Sequence, residues 1–197
     1  MTAIYLASRS PRRRELLLQM RVPHEVLVLA ATDVDEPRLR GESPADYVVR
    51  TAREKAERGV VSVRKRGLSP RPILSADTTV ILGDDILGKP ADRDEAVHML
   101  QRLSGVRHEV RTALALALDG NMREAVSITQ VQFRELSDRD IQRYCDSGEP
   151  YDKAGGYGIQ GLAGVFVERI EGSYTGVVGL PLYETAQLLA HAGMLLP

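Results

Sequence analysis

The hydrophobic residues of this chain follow two spacings in turn, one typical of strands and one typical of helices. Short apolar runs bounded by turn residues predict strands at Ala3–Ala7, Glu25–Ala30, Ile73–Leu82, Ile86–Gly88, Glu109–Leu118, Ala125–Phe133 and Val165–Ile170. Capping residues followed by helical spacing predict helices that start at Ser10-Pro11, Ser43-Pro44, Asp92 and Ser137, and a last helix over Leu182–Ala192. This succession of strands and helices predicts an α/β fold.

The helix that starts at Ser43 places a lysine at the border of its apolar face. On a wheel of about 100° per residue, an arc of roughly 100°, the width of a core-facing stripe, contains Ala45, Val48, Val49, Ala52 and Ala56. Lys55 lies about 20° outside that arc. Its ammonium either lies at the end of the sheet or reaches water along a buried stem.

Composition narrows the class of protein. The 197 residues predict one domain over 1–197, and 26 Lys+Arg against 27 Asp+Glu give a net charge of −1, which excludes the basic field of a nucleic-acid binder. No apolar run approaches the length of a membrane span, and the run Ile4–Ala7 is too short for a signal peptide. The single Cys145 excludes an internal disulfide and a thiolate metal cluster. We therefore expect a cytoplasmic globular protein without a nucleic-acid or membrane partner.

Basic residues crowd the predicted start of the first helix. Arg12, Arg13 and Arg14 follow the cap Ser10, although the dipole of a helix favours negative charge at this end. A bound phosphate would make the arrangement favourable, because free backbone N–H groups and guanidinium groups both suit an anion. A solvated basic patch is the alternative interpretation.

Acidic residues stand in two unusual places. Asp77 shares one face of a predicted strand with Ser75 and Thr79, and a carboxylate there needs a cation, a metal or hydrogen-bond donors. A structural salt bridge and a catalytic carboxylate both satisfy that need. The loop that holds Asp33, Asp35 and Glu36 suits a divalent cation such as Mg²⁺, or is a solvated turn.

Glycines mark two further candidate segments. Lys89 lies between Gly88 and Pro90, which hold it near a defined place. The segment Asp152–Gly161 contains four glycines, which let a backbone approach a ligand closely or serve an irregular loop. Its Gln160 carries an amide that can hydrogen-bond to the edge of a nucleobase.

Taken together, these segments resemble the Maf family of nucleoside triphosphate pyrophosphatases. The matching pieces are Ser8-Arg9-Ser10-Pro11-Arg12-Arg13, Val34-Asp35-Glu36, Arg53-Glu54-Lys55-Ala56, Ala76-Asp77-Thr78, Gly88-Lys89-Pro90, Leu103-Ser104-Gly105 with His108, Asp152–Gly161, and Gly172-Ser173-Tyr174 with Val177–Pro181. They span nearly the whole chain in the family's order, and the version of Asp152–Gly161 resembles the branch that acts on dTTP and UTP. One departure is Gly176, where many members carry Asn.

The resemblance implies a mixed, elongated central sheet flanked by helices in two lobes, with the active cleft between them. It implies Asp77 as the proton acceptor that activates water, with Lys55 and Lys89 as further catalytic residues. The implied substrate-binding residues are Ser8, Arg12, Arg13, Thr78, Lys153 and Gln160. Among them the resemblance implies that Arg12, Thr78 and Gln160 determine substrate specificity. It also implies a divalent cation, Mg²⁺ or Mn²⁺, bound by Glu36 and Asp77, and a homodimer.

Two other functions are also compatible with these residues. A purine pyrophosphatase of related fold, acting on nucleotides such as ITP or XTP, would perform the same reaction with a different base pocket. A nucleotide-sensing regulator of cell division or septum formation would use the cleft without catalysis. The water-activating carboxylate favours an enzyme, because a sensor does not need one.

Overall fold

The structure, a computed structural model, describes residues 3–29, 37–194 and 196. Its strands are β1 (Ile4–Leu6), β2 (His24–Val26), β3 (Ile73–Leu82), β4 (Asp85–Leu87), β5 (Arg107–Leu118), β6 (Asn121–Phe133) and β7 (Val167–Glu171). Its α-helices are α1 (Pro11–Gln19), α2 (Pro44–Lys65), α3 (Arg93–Leu103), α4 (Asp138–Asp146), α5 (Tyr174–Val178) and α6 (Leu182–Ala190). Within the described residues, short 3₁₀ turns cover Glu149–Asp152, Ala154–Gly156 and Leu162–Phe166.

Side-chain caps explain where most of the longer helices begin. Ser10, Ser43 and Asp92 each accept a hydrogen bond from the backbone N–H three residues further along, and thereby satisfy one of the free donors of the first turn. Ser137 does the same for α4, and Asp140 returns a contact to the Ser137 backbone, which completes a capping box. These starts were all predicted from the sequence.

The seven strands form one mixed sheet. Their order is β2-β1-β3-β5-β6-β7, with β4 paired to the edge of β3. The pairs of β1 with β2 and β3 are parallel, and the others are antiparallel. The predicted α/β fold with a mixed sheet flanked by helices is therefore confirmed.

One edge of β3 is left open in the middle of the strand. β1 pairs with Ile73 and Leu74, and β4 pairs with the stretch Val80–Leu82 on the same side. Within the described ranges, no strand covers residues 75–79 along this edge. Such an edge leaves backbone groups available to side chains or to a ligand.

Helices cover the two faces of the sheet unequally. On one face α2 packs over β3 and β5, with Ala52 and Ala56 against Ala113 and Ala115. The other face carries two separate cores, one with α1, α5 and α6 around Leu74 and the other with α3 and α4. The two cores give the lobes that the resemblance implied.

A row of hydroxyl groups crosses the sheet between the two cores. Thr78 pairs in register with Thr112 of β5, which pairs with Ser127 of β6. Ala76, on one side of the row, belongs to the core with α1, α5 and α6. Val80, on the other side, belongs to the core with α3 and α4. The cleft described below opens at this row.

Several elements differ from prediction in their bounds. The short helix α5 was not predicted, because it has only five residues and contains Gly176. β7 starts two residues later than expected, since Leu162–Phe166 forms a 3₁₀ turn. No helix within the described part of the chain is long and apolar enough to cross a membrane.

Candidate active site

A cleft of about 590 Å³ lies at the open edge of β3. One wall comes from the start of α1, and the opposite wall comes from residues 149–161. Nine of the ten residues predicted for the site line it: Ser8, Arg12, Arg13, Lys55, Asp77, Thr78, Lys89, Lys153 and Gln160. The tenth, Glu36, lies outside the described residues.

Asp77 and Lys55 form an ion pair at the floor of the cleft. The Lys55 ammonium donates to Oδ1 of Asp77 across 2.5 Å, and both side chains are largely buried, at 13% and 15% exposed. Among the residues that the structure describes, the other carboxylate oxygen, Oδ2, accepts only a long hydrogen bond of 3.3 Å from the Thr79 hydroxyl. Lys55 therefore lies at the sheet instead of in bulk water, and Asp77 keeps one oxygen available for a further partner.

Arg13 holds together four parts of the cleft. Its guanidinium donates to the carbonyl oxygens of Gly179 (2.8 Å) and Ala76 (2.8 Å). It also donates to the hydroxyl oxygens of Ser8 (3.2 Å) and Thr78 (3.1 Å). Four of its five N–H groups are used inside the protein, so Arg13 has at most one left for a substrate.

The burial of that guanidinium changes its acid–base behaviour. Loss of water lowers the pKa of Arg13; the charge of Asp77 works to raise it, and the charge of Arg12 lowers it further. Arginine nevertheless stays protonated at any physiological pH. Arg13 therefore supplies a fixed positive charge behind the cleft and also joins four of its parts through hydrogen bonds.

Ser8 is left with a proton to donate. Its oxygen accepts from the Ser10 backbone N–H at 3.2 Å and from Arg13 at 3.2 Å. Both lone pairs are therefore occupied, whereas the hydroxyl proton has no acceptor among the residues that the structure describes. A hydroxyl in this state suits an acceptor such as a phosphate oxygen.

Three further cations surround the opening of the cleft. Arg12 donates to Oδ2 of Asp152 at 3.3 Å, and Lys153 donates to Oδ1 of the same residue at 2.5 Å and to the Glu149 carbonyl at 2.6 Å. Burial works to raise the pKa of Asp152, but the contacts with Lys153 and Arg12 outweigh it and the pKa is lowered. Lys89 is exposed and has no ion-pair partner within the described ranges.

The glycine-rich wall is held in place by close backbone contacts. Gly155 donates its N–H to the carbonyl of Gly88 at 2.8 Å, which ties this wall to the segment that carries Lys89. Gly155 has φ +70, and a Cβ there would lie 2.9 Å from Val80. Only glycine fits this position without displacing β3.

Glu149 supports the part of the wall that presents Gln160. Its Oε2 accepts from the Leu162 N–H at 2.9 Å, and its Oε1 accepts from the Tyr144 hydroxyl at 3.0 Å. A Cβ on Gly161 would lie 2.3 Å from Oε1, so the carboxylate packs directly against that glycine. The Gln160 side chain is exposed, and its amide has no hydrogen-bond partner within the described part of the chain.

The described residues include no group of three or more His, Cys, Asp or Glu that could hold a metal ion. A hard cation such as Mg²⁺ often takes only one or two carboxylates and completes its shell with water and substrate phosphates. The open Oδ2 of Asp77 fits that ligand type. Glu36, the second predicted ligand, lies with Asp33 and Asp35 outside the described residues.

A second hollow, of about 420 Å³, lies on the surface of β5, β6 and β7. Its charged residues pair with one another, as Arg107 and Arg169 do with Glu171. The carboxylates among its described lining residues, Glu168 and Glu171, are exposed, whereas Asp77 in the cleft is largely buried. We therefore place the candidate chemistry in the cleft.

The sequence also matches a known family over almost its full length. The family described as Maf-like protein covers residues 3–192. The chain belongs to this family. Some of the segments that led to the resemblance contribute side chains to the cleft, among them Asp77 and Thr78 of Ala76-Asp77-Thr78 and Lys89 of Gly88-Lys89-Pro90.

Relatives of this Maf-like chain carry a common name. A protein of Bordetella avium (strain 197N) named dTTP/UTP pyrophosphatase is 60% identical over 195 residues, which cover 98% of this chain and 97% of that protein. A protein of the same name from Nitrosomonas europaea is 52% identical over 196 residues, covering 97% of this chain and 95% of that protein. Among solved structures, the Staphylococcus aureus Ham1 protein matches with a TM-score of 0.43 and 10% identity over 66% of this chain and 71% of that one.

Two residues that support the Maf-like cleft, Glu149 in its wall and the buried Thr112 behind it, were not predicted from the sequence. Glu149 precedes the glycine-rich segment and reads as an ordinary surface acid. Thr112 directly precedes the apolar half of its strand, Ala113–Leu118. The hydroxyl at the start of this apolar run is the sequence feature that could have indicated a role for Thr112, since buried polar groups require partners.

Proposed function

We propose that this Maf-like protein hydrolyses dTTP and UTP to the nucleoside monophosphate and pyrophosphate. One arrangement carries the proposal: a carboxylate with a free oxygen, Asp77, lies in a cleft whose walls supply Lys55, Lys89 and Arg12. This combination suits a substrate with several phosphates and a reaction that requires an activated water. The names of the relatives with 60% and 52% identity support the choice of substrate.

In the proposed reaction, water attacks the α-phosphorus of the nucleotide. Asp77 accepts a proton from that water while the new P–O bond forms, and the bond between the α-phosphorus and its bridging oxygen breaks. Pyrophosphate leaves with the electron pair of that bond, and the proton on Asp77 then passes to solvent. General-base catalysis of this kind contributes about 10²- to 10⁴-fold.

The cations around the cleft stabilise the charge that shifts onto the leaving pyrophosphate. Preorganised positive groups act most strongly where water is excluded, which favours the largely buried Lys55. Lys89 has no competing partner in the part of the chain that the structure describes, so its ammonium is available to a phosphate. The Ser8 hydroxyl, with its proton free, is expected to donate to a phosphate oxygen.

A divalent cation, Mg²⁺ or Mn²⁺, is part of the proposal. Asp77 and Glu36 would hold it, because carboxylate oxygens are the ligands that such ions prefer. When bound, the cation would supply positive charge to the phosphate oxygens. The protein's own residues would still orient the nucleotide, with Arg12 and Lys153 near its phosphates and the Gln160 amide donating to a base carbonyl.

The test is pyrophosphate release from a panel of dTTP, UTP, CTP, ATP, GTP, ITP and XTP, with Mg²⁺ or Mn²⁺ added and with EDTA as a control. We expect dTTP and UTP to be the best substrates. Hydrolysis in H₂¹⁸O should place the label in the monophosphate and none in pyrophosphate, because attack is at the α-phosphorus. A panel in which GTP or ITP is the best substrate would support the purine alternative, and release from no nucleotide would support the sensor.

We also propose that the protein forms a homodimer and is located in the cytoplasm. A homodimer should elute at about twice the 21.7 kDa of one chain in size-exclusion chromatography with light scattering. A cytoplasmic protein should be recovered in the cytosolic fraction of cells that produce it. A monomer in solution would remove the first proposal without affecting the chemistry.

A further inference from the structure

Three consecutive hydrogen bonds beside the cleft join a guanidinium, two hydroxyl groups and a backbone carbonyl into a chain. Arg13 Nη2 lies 3.1 Å from the Thr78 hydroxyl oxygen, which lies 2.9 Å from that of Thr112. The Thr112 oxygen lies 2.7 Å from the carbonyl oxygen of Gly176. The chain therefore runs from the guanidinium on α1 through two adjacent strands to α5.

The two ends of this chain fix the direction of every bond in it. A guanidinium N–H only donates, and a carbonyl oxygen only accepts. The contact with Gly176 therefore uses the single proton of Thr112, so Thr78 must donate its own proton to Thr112. Thr78 also accepts from Arg13, which leaves its hydroxyl with one lone pair and no proton for a ligand.

A hydroxyl that only accepts cannot bind a phosphate, because phosphate oxygens at neutral pH have no proton to offer. It requires a donor, and the imino N3–H of uracil and thymine is one. Cytosine carries a lone pair at the same ring position, which would face the lone pair of Thr78. The Ser8 hydroxyl is in the opposite state. Its oxygen accepts from Arg13 and from the Ser10 N–H, so it has a proton to donate and no free lone pair.

Gln160 alone does not explain such a choice of base. Its exposed amide has no partner in the described part of the chain to fix its orientation. An amide that can turn over presents a donor or an acceptor equally well, so it matches uracil in one orientation and cytosine in the other. A discriminating group must be unable to turn, and the Thr78 hydroxyl meets that condition.

We propose that Thr112 is a positioning residue that locks the Thr78 hydroxyl as an acceptor for the N3–H of uracil or thymine and thereby rejects cytosine. Thr112 is fully buried, at 0% exposed, and so acts only through Thr78. This inference rests on the proposed hydrolysis of dTTP and UTP. A mismatched pair of lone pairs is expected to cost about 5- to 150-fold in selectivity, as an unpaired buried group does.

The test compares Thr112→Val, which removes the hydroxyl at nearly constant volume, with Thr112→Ser, which keeps it. In Thr112→Val the freed Thr78 proton is available to cytosine N3. We expect the ratio of kcat/KM for UTP to that for CTP to fall at least about 5-fold in Thr112→Val, chiefly because CTP improves. Thr112→Ser should keep the wild-type ratio.

Inhibition by tripolyphosphate, a probe with phosphates and no base, separates this role from general damage. Its inhibition constant should be the same in wild type, Thr112→Val and Thr112→Ser.

If Thr112→Val is not obtained as folded protein, Thr112→Ala removes the same hydroxyl without an added methyl group and is compared with Thr112→Ser in the same way. An unchanged UTP-to-CTP ratio in an active hydroxyl-free variant overturns the inference, and so does an equal loss for UTP, CTP and tripolyphosphate. Absence of pyrophosphate release from UTP and dTTP by the wild-type protein would instead overturn the proposed function.

Discussion

The ammonium nitrogen of Lys55 lies 2.5 Å from Oδ1 of Asp77, and this contact joins helix α2 to the open segment of strand β3. Lys55 reaches it from the edge of the apolar face of α2, where Ala52 and Ala56 pack on the sheet. Because one oxygen of Asp77 is held, the other has a fixed position at the floor of the cleft. The pair therefore orients the carboxylate that we propose as the proton acceptor, and it also neutralises a partly buried charge.

Replacing Asp77 with Asn should abolish most turnover while leaving the fold intact. The amide keeps the shape of the side chain but is not basic, so we expect kcat to fall by about 10²- to 10⁴-fold. Pyrophosphate release measures the rate, and circular dichroism verifies the fold. Asp84→Asn, in the exposed turn after β3, is the matched control and should retain full activity. Equal rates in Asp77→Asn and wild type would remove Asp77 as the base.

Replacing Lys89 with Ala should lower the rate and leave stability almost unchanged. The side chain is exposed and has no ion-pair partner within the described ranges, so its removal should alter the free energy of unfolding by less than about 0.5 kcal/mol. We expect kcat to fall more than KM rises, because the ammonium meets charge that develops on the leaving group. Lys65→Ala, exposed at the end of α2, is the control. A higher KM with unchanged kcat would show that Lys89 binds substrate and transition state equally.

Replacing Glu149 with Ala should weaken nucleotide binding without removing the catalytic groups. The Leu162 N–H and the Tyr144 hydroxyl would both lose their acceptor, so residues 160–162 would no longer be held in one conformation. We expect KM to rise more than kcat falls. Glu149→Gln keeps one acceptor and one donor and should recover most of the affinity, whereas loss of activity in both variants alike would contradict a role in loop support.

The starts of the helices and the position of Asp77 could be predicted because they depend on neighbouring residues. Ser10, Ser43 and Ser137 cap helices through atoms only three residues away. The alternation of a strand likewise places Asp77 on one face with Ser75 and Thr79. Local chemistry determines such features. That α2 covers this face of the strand is known only from the structure.

The role of Arg13 could not be predicted in the same way. Its four acceptors come from Ser8, Ala76, Thr78 and Gly179, which only the fold brings together. From the sequence, Arg13 was indistinguishable from Arg12, its neighbour, and both were predicted to bind substrate. The structure leaves Arg12 at the opening of the cleft, paired with Asp152, and places Arg13 behind it.

Replacing Gln160 with Glu should lower activity on dTTP and UTP selectively. A carboxylate cannot donate to the base carbonyl, and an unpaired polar group in the complex costs about 1–3 kcal/mol, which corresponds to about 5- to 150-fold in kcat/KM. Gln101→Glu, on the exposed side of α3, adds the same charge elsewhere and serves as the control. The expected loss is in kcat/KM for dTTP and UTP, with inhibition by pyrophosphate unchanged. If Gln101→Glu lowers activity equally, the effect is one of net charge.

The stability of the protein should fall in mildly acidic solution because of one buried histidine. His108 is 2% exposed, its Nε2 lies 2.8 Å from the Tyr157 hydroxyl, and its ring packs at 5.0 Å from that of Phe133. Burial lowers the pKa of His108 from 6.5 to about 4, against a weaker opposing effect of the Val106 backbone. Between these two pH values the unfolded chain binds a proton that the folded chain does not. The free energy of unfolding therefore decreases as the pH falls through this range, by about 2 kcal/mol at pH 5 relative to pH 7, and the contribution is complete below about pH 4.

His108→Phe separates this contribution from that of the carboxylates, which titrate in both proteins. The variant should be less stable at pH 7, because the buried Tyr157 hydroxyl loses its partner at a cost of about 1–3 kcal/mol. Its stability should then depend less on pH, so the difference between the two proteins should shrink by about 2 kcal/mol between pH 7 and pH 5. Urea unfolding at pH 7, 6 and 5 measures both curves. Parallel curves would mean that His108 titrates alike in the folded and unfolded chains and that its burial has no consequence for acid stability.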